Sequence, residues 1–340
     1  MKRLPRRRIL GGDVRDRLRE LLPESVDTIV TSPPYFQLRD YGRPGQIGME
    51  PSVDDWVRHM RDVLRLAGKV LKPHGCLWLN LGDSYSRDEC FGARPKSLLG
   101  APERLLLSLI ADGWIARNKI VWAKPNPMPS PIRDRLSCTY EVVYLLTRSP
   151  KYFFDLDAIR VAHRSQAKGA TIKRQRSLEN YTGPLGGSHG GIDRLKAAGR
   201  VGHANGKNPG DVWTISTAGY RGAHFAVFPE ALAERPILAT CPERICVQCD
   251  QPWTRPTRTL VVHTAEGARV VRKVGKLDRC DCFAPSRPGV VLDPFFGSGT
   301  VGVVAERHRR DWLGIELNPT YRALARKRIT KARQLRSEAA

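Results

Sequence analysis

The sequence predicts an α/β fold with a mostly parallel sheet, and three observations predict it. Toward one end, Val290-Val291-Leu292 reads as a buried strand and Gly297-Ser298-Gly299-Thr300-Val301-Gly302 as a G-x-G-x-x-G loop. A helical stretch follows to about Arg309, then a second strand, Trp312-Leu313-Gly314-Ile315, that ends at Glu316. Toward the other end, Thr28-Ile29-Val30-Thr31 reads as a short strand that runs into Ser32-Pro33-Pro34-Tyr35. Between them, the apolar runs "GCLWLNLGD" (75–83) and "YEVVYLLTR" (140–148) offer further strands.

The order strand, glycine loop, helix, strand, acid is that of a nucleotide-binding βαβ unit. Glycines let the backbone approach a ligand, and the helix N-terminus favours its negative end. Glu316 is placed to accept hydrogen bonds from ribose hydroxyls. No Gly-Lys-Ser/Thr follows, so this is not a P-loop. One βαβ unit cannot make a doubly wound sheet, and the remaining strands are expected from the earlier sequence. Two prolines after Ser32 remove two backbone donors and hold φ near −65°, so that strand ends in a stiff tip. Locally this is also what a plain proline turn looks like. Ligands of such sheets bind beyond the carboxyl ends of the strands. The tip 32–35 and the loop 293–300 are therefore expected to face one crevice.

Length suits one large α/β domain with insertions as well as it suits two domains. No apolar run approaches the ~20 residues of a membrane span, and the basic start "MKRLPRRRIL" lacks the apolar stretch of a secretory signal. A cytoplasmic protein with no membrane partner is expected. Lys and Arg number 57 against 34 Asp and Glu, a net charge of +23. Such a field attracts polyanions, with DNA or RNA the leading class and a merely basic surface the alternative. Five of the eight cysteines crowd into residues 241–282, which argues for metal over disulfides. Cys246-x-x-Cys249 and Cys280-x-Cys282 form two close pairs suited to tetrahedral zinc, with free thiols in a loop as the alternative. Four thiolates leave no open position, so that zinc would be structural.

Taken together, "TSPPY" (31–35) and "LDPFFGSGTV" (292–301) resemble the catalytic and cofactor motifs of the S-adenosylmethionine-dependent DNA amino-methyltransferases. Their order matches the permuted β group, in which the catalytic motif comes first and the cofactor loop last. "HFAVFPEAL" (224–232), "GDVRDRLRELLPESVDTIV" (12–30), "GQIGMEPSVDDWV" (45–57) and "VLKPHGCLWLNLGDSY" (70–85) are similar to further segments of that family. The resemblance covers residues 9–160 and 211–330. It implies a Rossmann-like methyltransferase with a circularly permuted sheet and a basic target-recognition insertion. The cysteine-rich stretch departs from the family, being inserted where the family runs through a short loop to the cofactor strand. The implied division is 1–157 for the catalytic part, 158–223 for target recognition, 224–243 with 287–340 for the cofactor part, and 244–286 for the zinc insertion. Residues 158–224 hold eleven Lys and Arg against Glu179, Asp193 and Asp211, which suits contact with DNA. A flexible surface insertion is the alternative.

In chemical terms, the lone pair of an exocyclic amino group is delocalised into the base. Accepting hydrogen bonds from both N–H groups favours a more tetrahedral nitrogen. The resemblance implies Ser32 Oγ and the Pro33 carbonyl as those acceptors, held rigid by Pro33 and Pro34, with Tyr35 stacked on a flipped base. It implies S-adenosylmethionine held by Asp293 with Pro294, Phe295, Gly297, Ser298, Gly299 and Thr300, and by Thr31. Glu316 would take the ribose and Asp13 the adenine edge, while His224, Phe225 and Phe228 would close the pocket. For Phe295 or Phe296, and for His224, a structural role is the alternative. Cys241 falls in the parent loop and counts as a spare. In this family Ser-Pro-Pro-Tyr goes mainly with cytosine N4 and Asp-Pro-Pro-Tyr mainly with adenine N6. The expected function is site-specific cytosine-N4 methylation of double-stranded DNA, with adenine-N6 methylation the alternative. A catalytically inactive DNA-binding zinc protein is a weaker reading, because Ser32–Tyr35, Asp293 and Glu316 are all in place. An NAD-dependent oxidoreductase is disfavoured by Asp293-Pro294-Phe295 before the glycines and by the short second half of the unit. A homodimer and a partner endonuclease remain open.

Overall fold

In the computed structural model the described residues are 6–162, 205–217, 228–255, 257–264, 267–274 and 277–338. In chain order they form β1 (Arg8–Gly11), α1 (Val14–Glu20), β2 (Val26–Thr31), α2 (Val53–Val70), β3 (Leu71–Leu81), α3 (Ala101–Ala111), β4 (Ile115–Ala123) and β5 (Tyr140–Thr147). Then come β6 (Val212–Thr214), α4 (Glu230–Thr240), β7 (Ile245–Cys246), β8 (Thr257–Thr264), β9 (Gly267–Val274), β10 (Ser286–Arg287), β11 (Val290–Asp293), α5 (Thr300–Arg307), β12 (Asp311–Glu316) and α6 (Pro319–Glu338).

Eight strands make one sheet in the order β1-β12-β11-β2-β3-β5-β4-β6. β5 runs antiparallel to both neighbours, and every other pairing in the sheet is parallel. Two adjacent inner strands come from opposite ends of the chain: Leu292 of β11 pairs with Ile29 of β2. The permutation expected from the motif order is thus present in the topology. All residues of β2 and β11 are buried, as strands covered on both faces by helices must be. Helices α1, α2 and α3 pack side by side, as do α4, α5 and α6. In α2 the spacing of Val53, Trp56, Met60, Val63, Leu64 and Ala67 puts one apolar stripe into the core. Its N-cap, Ser52, accepts from the Asp55 amide at 3.1 Å.

The chain divides into two compact units. The first comprises Met1–Asp155, Gly210–Trp253 and Asp281–Ala340, and holds the large sheet and its helices. The second comprises Leu156–Pro209 and Thr254–Cys280. Its described parts include the antiparallel hairpin β8–β9 and a bridge between Val161 and Lys207. Most of the 158–223 segment lies outside the described residues, as do His224 and Phe225. The described Val212–Thr214 adds β6 to the edge of the main sheet beside β4. Among the described residues no helix is long and apolar enough to cross a membrane.

Candidate active site

Parallel pairing brings several strand ends to one edge of the sheet. Gly11 lies opposite Glu316, Asp293 opposite Gly314, and Thr31 opposite Leu79. A cavity of about 530 Å³ opens there, lined by Ser32–Tyr35 from the first landmark and by Pro294–Ser298 and Glu316 from the second. Asp13, Phe228 and Thr300 line it too. The two landmarks therefore meet as expected.

Thr31, Asp293 and Gly299 stand behind this wall and do not line it. Thr31 Oγ1 donates to Asp293 Oδ1 at 2.7 Å, tying the end of β2 to the end of β11. The Phe295 amide donates to the same oxygen at 3.0 Å, while the buried Oδ2 has no hydrogen-bond partner among the described residues. Desolvation pushes the Asp293 carboxyl up to about 7, against the lowering effect of those two donors. Burial also raises Glu316. Its Oε2 accepts from the Gly297 amide and its Oε1 from the Asn318 amide, both at 2.7 Å. Each oxygen keeps a second acceptor site. Asp13 caps α1 by accepting from the Arg15 amide, and pairs with the Arg15 guanidinium, which lowers its pKa.

The two phenylalanines divide the alternatives. Phe296 is 2% exposed and stacks on Trp312, ring centroids 5.3 Å apart. A Cβ at Gly314 would come within 2.3 Å of that ring, so this strand position has no room for a side chain. Phe295 is only partly buried. From behind, Arg328 of α6 grips the glycine loop: its Nη1 donates to the Ser298 carbonyl at 2.9 Å, Ser298 Oγ at 2.7 Å and Thr300 Oγ1 at 3.1 Å. Gly299 sits at φ +79°, where a Cβ would meet Ala325 of the same helix at 2.8 Å.

At the proline tip, Trp56 Nε1 donates to the Pro34 carbonyl at 3.0 Å. Tyr35 is held at its hydroxyl, which donates to Glu141 Oε2 at 2.6 Å and lies 3.1 Å from Ser32 Oγ. Desolvation, with the Glu141 carboxylate adding to it, pushes the phenol well above its ordinary value. Asn80 Nδ2 donates to the same Glu141 oxygen at 3.0 Å, and Lys124 pairs with the other. Asn80, Lys124 and Glu141 line the cavity and were not anticipated. The available signals were an asparagine inside the apolar run 75–83 and a glutamate opening the apolar run 140–148.

The sulfurs of Cys246, Cys249, Cys280 and Cys282 lie within 4.8 Å of one another. Cys241 stands outside the group, buried, its thiol pushed up by desolvation and backed against Gly289. Cys246–Asp250 is a tight knuckle: the Gln248 amide points at Cys246 Sγ (3.4 Å) and the Asp250 amide donates to the Cys246 carbonyl (3.1 Å). Asp250 pairs with Arg287 and with buried Lys72, which also reaches Asp27 of β2 at 3.0 Å. The knuckle is thereby tied to the sheet.

The family model for the N6/N4 DNA methylases matches residues 26–327. The type II methyltransferase M.SmaI of Serratia marcescens is 34% identical, over 96% of this chain and 91% of that protein. Among solved structures, the PvuII DNA methyltransferase (cytosine-N4-specific) superposes with a TM-score of 0.56 at 19% identity, covering 96% of this chain and 90% of that one. A Thermus thermophilus protein solved with S-adenosyl-L-methionine gives 0.51 at 20% identity, covering 96% and 95%. Both structures share this fold.

Proposed function

The chain belongs to the N6/N4 DNA methylase family of S-adenosylmethionine-dependent amino-methyltransferases, and on that premise we propose that this type II DNA methyltransferase acts on the exocyclic N4 of cytosine in double-stranded DNA. Serine at position 32 is the observation that carries the choice of base, and the PvuII enzyme of the same fold is cytosine-N4-specific. In this reading Ser32 Oγ and the Pro33 carbonyl accept the two amino hydrogens. Their rigidity supports it, since acceptors that need no reorganisation act most strongly where charge develops. Tyr35 contributes its ring face to the flipped base while its hydroxyl stays in the network with Glu141.

S-adenosylmethionine, when bound, supplies a methyl group on a positively charged sulfur. The residues present fit it. Asp293 Oδ2 is buried behind the cavity wall with no partner among the described residues, and a positive charge in the cavity would favour its carboxylate. Glu316 retains acceptor capacity for ribose hydroxyls, while Phe295 and Phe228 supply apolar wall. Asp13, Pro294, Gly297, Ser298 and Thr300 complete the cradle. Thr31 and Gly299 hold it from behind. For the DNA, the net charge of +23 suits a polyanion. Met128, 87% exposed, lines the cavity from the 124–139 segment, on which Leu136 is 90% exposed, and this segment would contact the duplex. The 158–223 segment is proposed as the target-recognition region.

We also assign a structural zinc to Cys246, Cys249, Cys280 and Cys282. Four sulfurs gathered beside a knuckle with an N–H···S contact are what tetrahedral Zn–S ligation requires. Purified protein is expected to carry one zinc per chain by elemental analysis. Cys249→Ser is expected to lose it and to melt at a lower temperature, since metal-binding free energy becomes folding free energy. A metal-free wild type of unchanged melting temperature would remove the zinc.

The test of the reaction is incubation of mixed-sequence duplex DNA with labelled S-adenosylmethionine, followed by nucleoside mass spectrometry. N4-methylcytosine is expected. N6-methyladenine would overturn the assignment drawn from Ser32.

A further inference from the structure

A serine hydroxyl is an ambiguous acceptor. It carries a proton of its own, and when that proton points at the substrate the oxygen repels the amino hydrogen it should receive. An aspartate at this position would have no such ambiguity. Something must therefore turn the Ser32 proton away, and the hydrogen bonds around Tyr35 supply it.

We propose that Glu141, acting through the Tyr35 hydroxyl, holds Ser32 Oγ as a one-way acceptor for the target amino group. Glu141, paired with Lys124, presents a carboxylate that only accepts. Tyr35 Oη has one proton, and Glu141 Oε2, charged and 2.6 Å away, takes it in preference to the neutral Asn80 Oδ1 at 3.3 Å. At 3.1 Å from Ser32 Oγ, the remaining Tyr35 lone pairs accept, so the Ser32 proton points toward Tyr35. The serine lone pairs are left for the cavity, which Ser32, Tyr35 and Glu141 all line. Asn80 Nδ2 steadies the same carboxylate oxygen and the Val142 carbonyl, at 3.0 and 3.1 Å. Glu141 is a positioning residue here, since it touches Tyr35 and acts on the substrate only through Ser32. The inference rests on Ser32 being the acceptor for the amino group, and it deepens that reading.

A carboxamide offers an N–H as well as a carbonyl, so Glu141→Gln lets the chain of hydrogen bonds run either way. Tyr35→Phe cuts it. On a duplex that the wild-type protein methylates, single-turnover transfer should fall about 10–100-fold in each variant, the loss of one to two charge-assisted or preorganised hydrogen bonds. The double variant should be no slower than the slower single, because both break the same chain. Affinities for S-adenosylmethionine and for the duplex should stay within about threefold, as no direct contact is removed. In a Ser32→Asp background, where no serine proton needs turning, Glu141→Gln should cost little.

Additive losses in the double variant would overturn the proposal, because two independent effects would then be at work. So would an unchanged rate in Glu141→Gln, or an equal loss with serine and with aspartate at position 32. The identity of the methylated base in the same reactions judges the cytosine assignment separately: N6-methyladenine would sink that assignment and leave the cycle just as decisive for the Ser32 chain.

Discussion

Ser32→Ala should lower the single-turnover rate of methyl transfer by about 10²–10³-fold, the usual cost of deleting one preorganised hydrogen-bonding group at a reacting centre. The wild-type hydroxyl stands at the end of β2 and lines the cavity. Its neighbours are independently fixed: Pro34 by Trp56, Tyr35 by Glu141, and Thr31 by Asp293. Removing one oxygen therefore leaves the tip in position. Cofactor affinity should hardly change, because the proposed cofactor contacts come from Phe228 and from the ends of β1, β11 and β12 and the segments that follow them, not from Ser32. Equilibrium titration with S-adenosylmethionine alongside single-turnover kinetics separates the two effects. A rate within a few-fold of wild type would mean that Ser32 does not accept from the target. A parallel loss of cofactor affinity would mean that it is a structural cap of the strand.

Much of the sheet was legible because its signals are local. Val290–Leu292, the glycine loop and Trp312–Glu316 announce themselves by burial pattern, turn chemistry and a terminal acid. The convergence of 32–35 with 293–300 followed from the rule that ligands sit beyond strand ends. Other features depend on pairing between distant segments, which periodicity does not encode. The reversed direction of β5 and the addition of Val212–Thr214 as β6 are of that kind. Phe295 and Phe296 are neighbours of identical chemistry. Only the tight passage of Gly314 beside one ring decides which of them is core. Glu141 carries no motif, and its meaning comes from a tyrosine 106 positions away. The cysteine spacing was readable, since paired thiols have few other uses, and Cys241, counted as a spare from its place in the parent loop, stands outside the four-sulfur group.

Asp293→Asn should separate stability from binding. The wild-type carboxyl is pushed up from its ordinary value of 3.8 to about 7, chiefly by desolvation. A carboxyl whose pKa is raised by folding holds more protons in the native than in the unfolded protein between those two values. Native stability then falls as pH rises from about 4 to about 7, and above 7 the penalty is fully present. The upper bound of that penalty is about 4 kcal/mol. An isosteric amide keeps an oxygen for Thr31 Oγ1 and the Phe295 amide and carries no charge. The ligand-free variant should therefore melt higher than wild type at pH 8, with the difference shrinking toward pH 4. Its affinity for S-adenosylmethionine should nonetheless drop about 10–100-fold, because the buried carboxylate behind the cavity wall attracts the sulfonium charge through a low-dielectric interior, where charge–charge interactions are strong. Wild-type affinity should weaken as pH falls through about 7, while that of the variant should stay flat across the same range. Thermal melts and titrations at several pH values test both halves. Equal melting temperatures at pH 8 would show that the buried carboxylate carries no such penalty. An undiminished affinity would show that its unpartnered oxygen does not serve the cofactor.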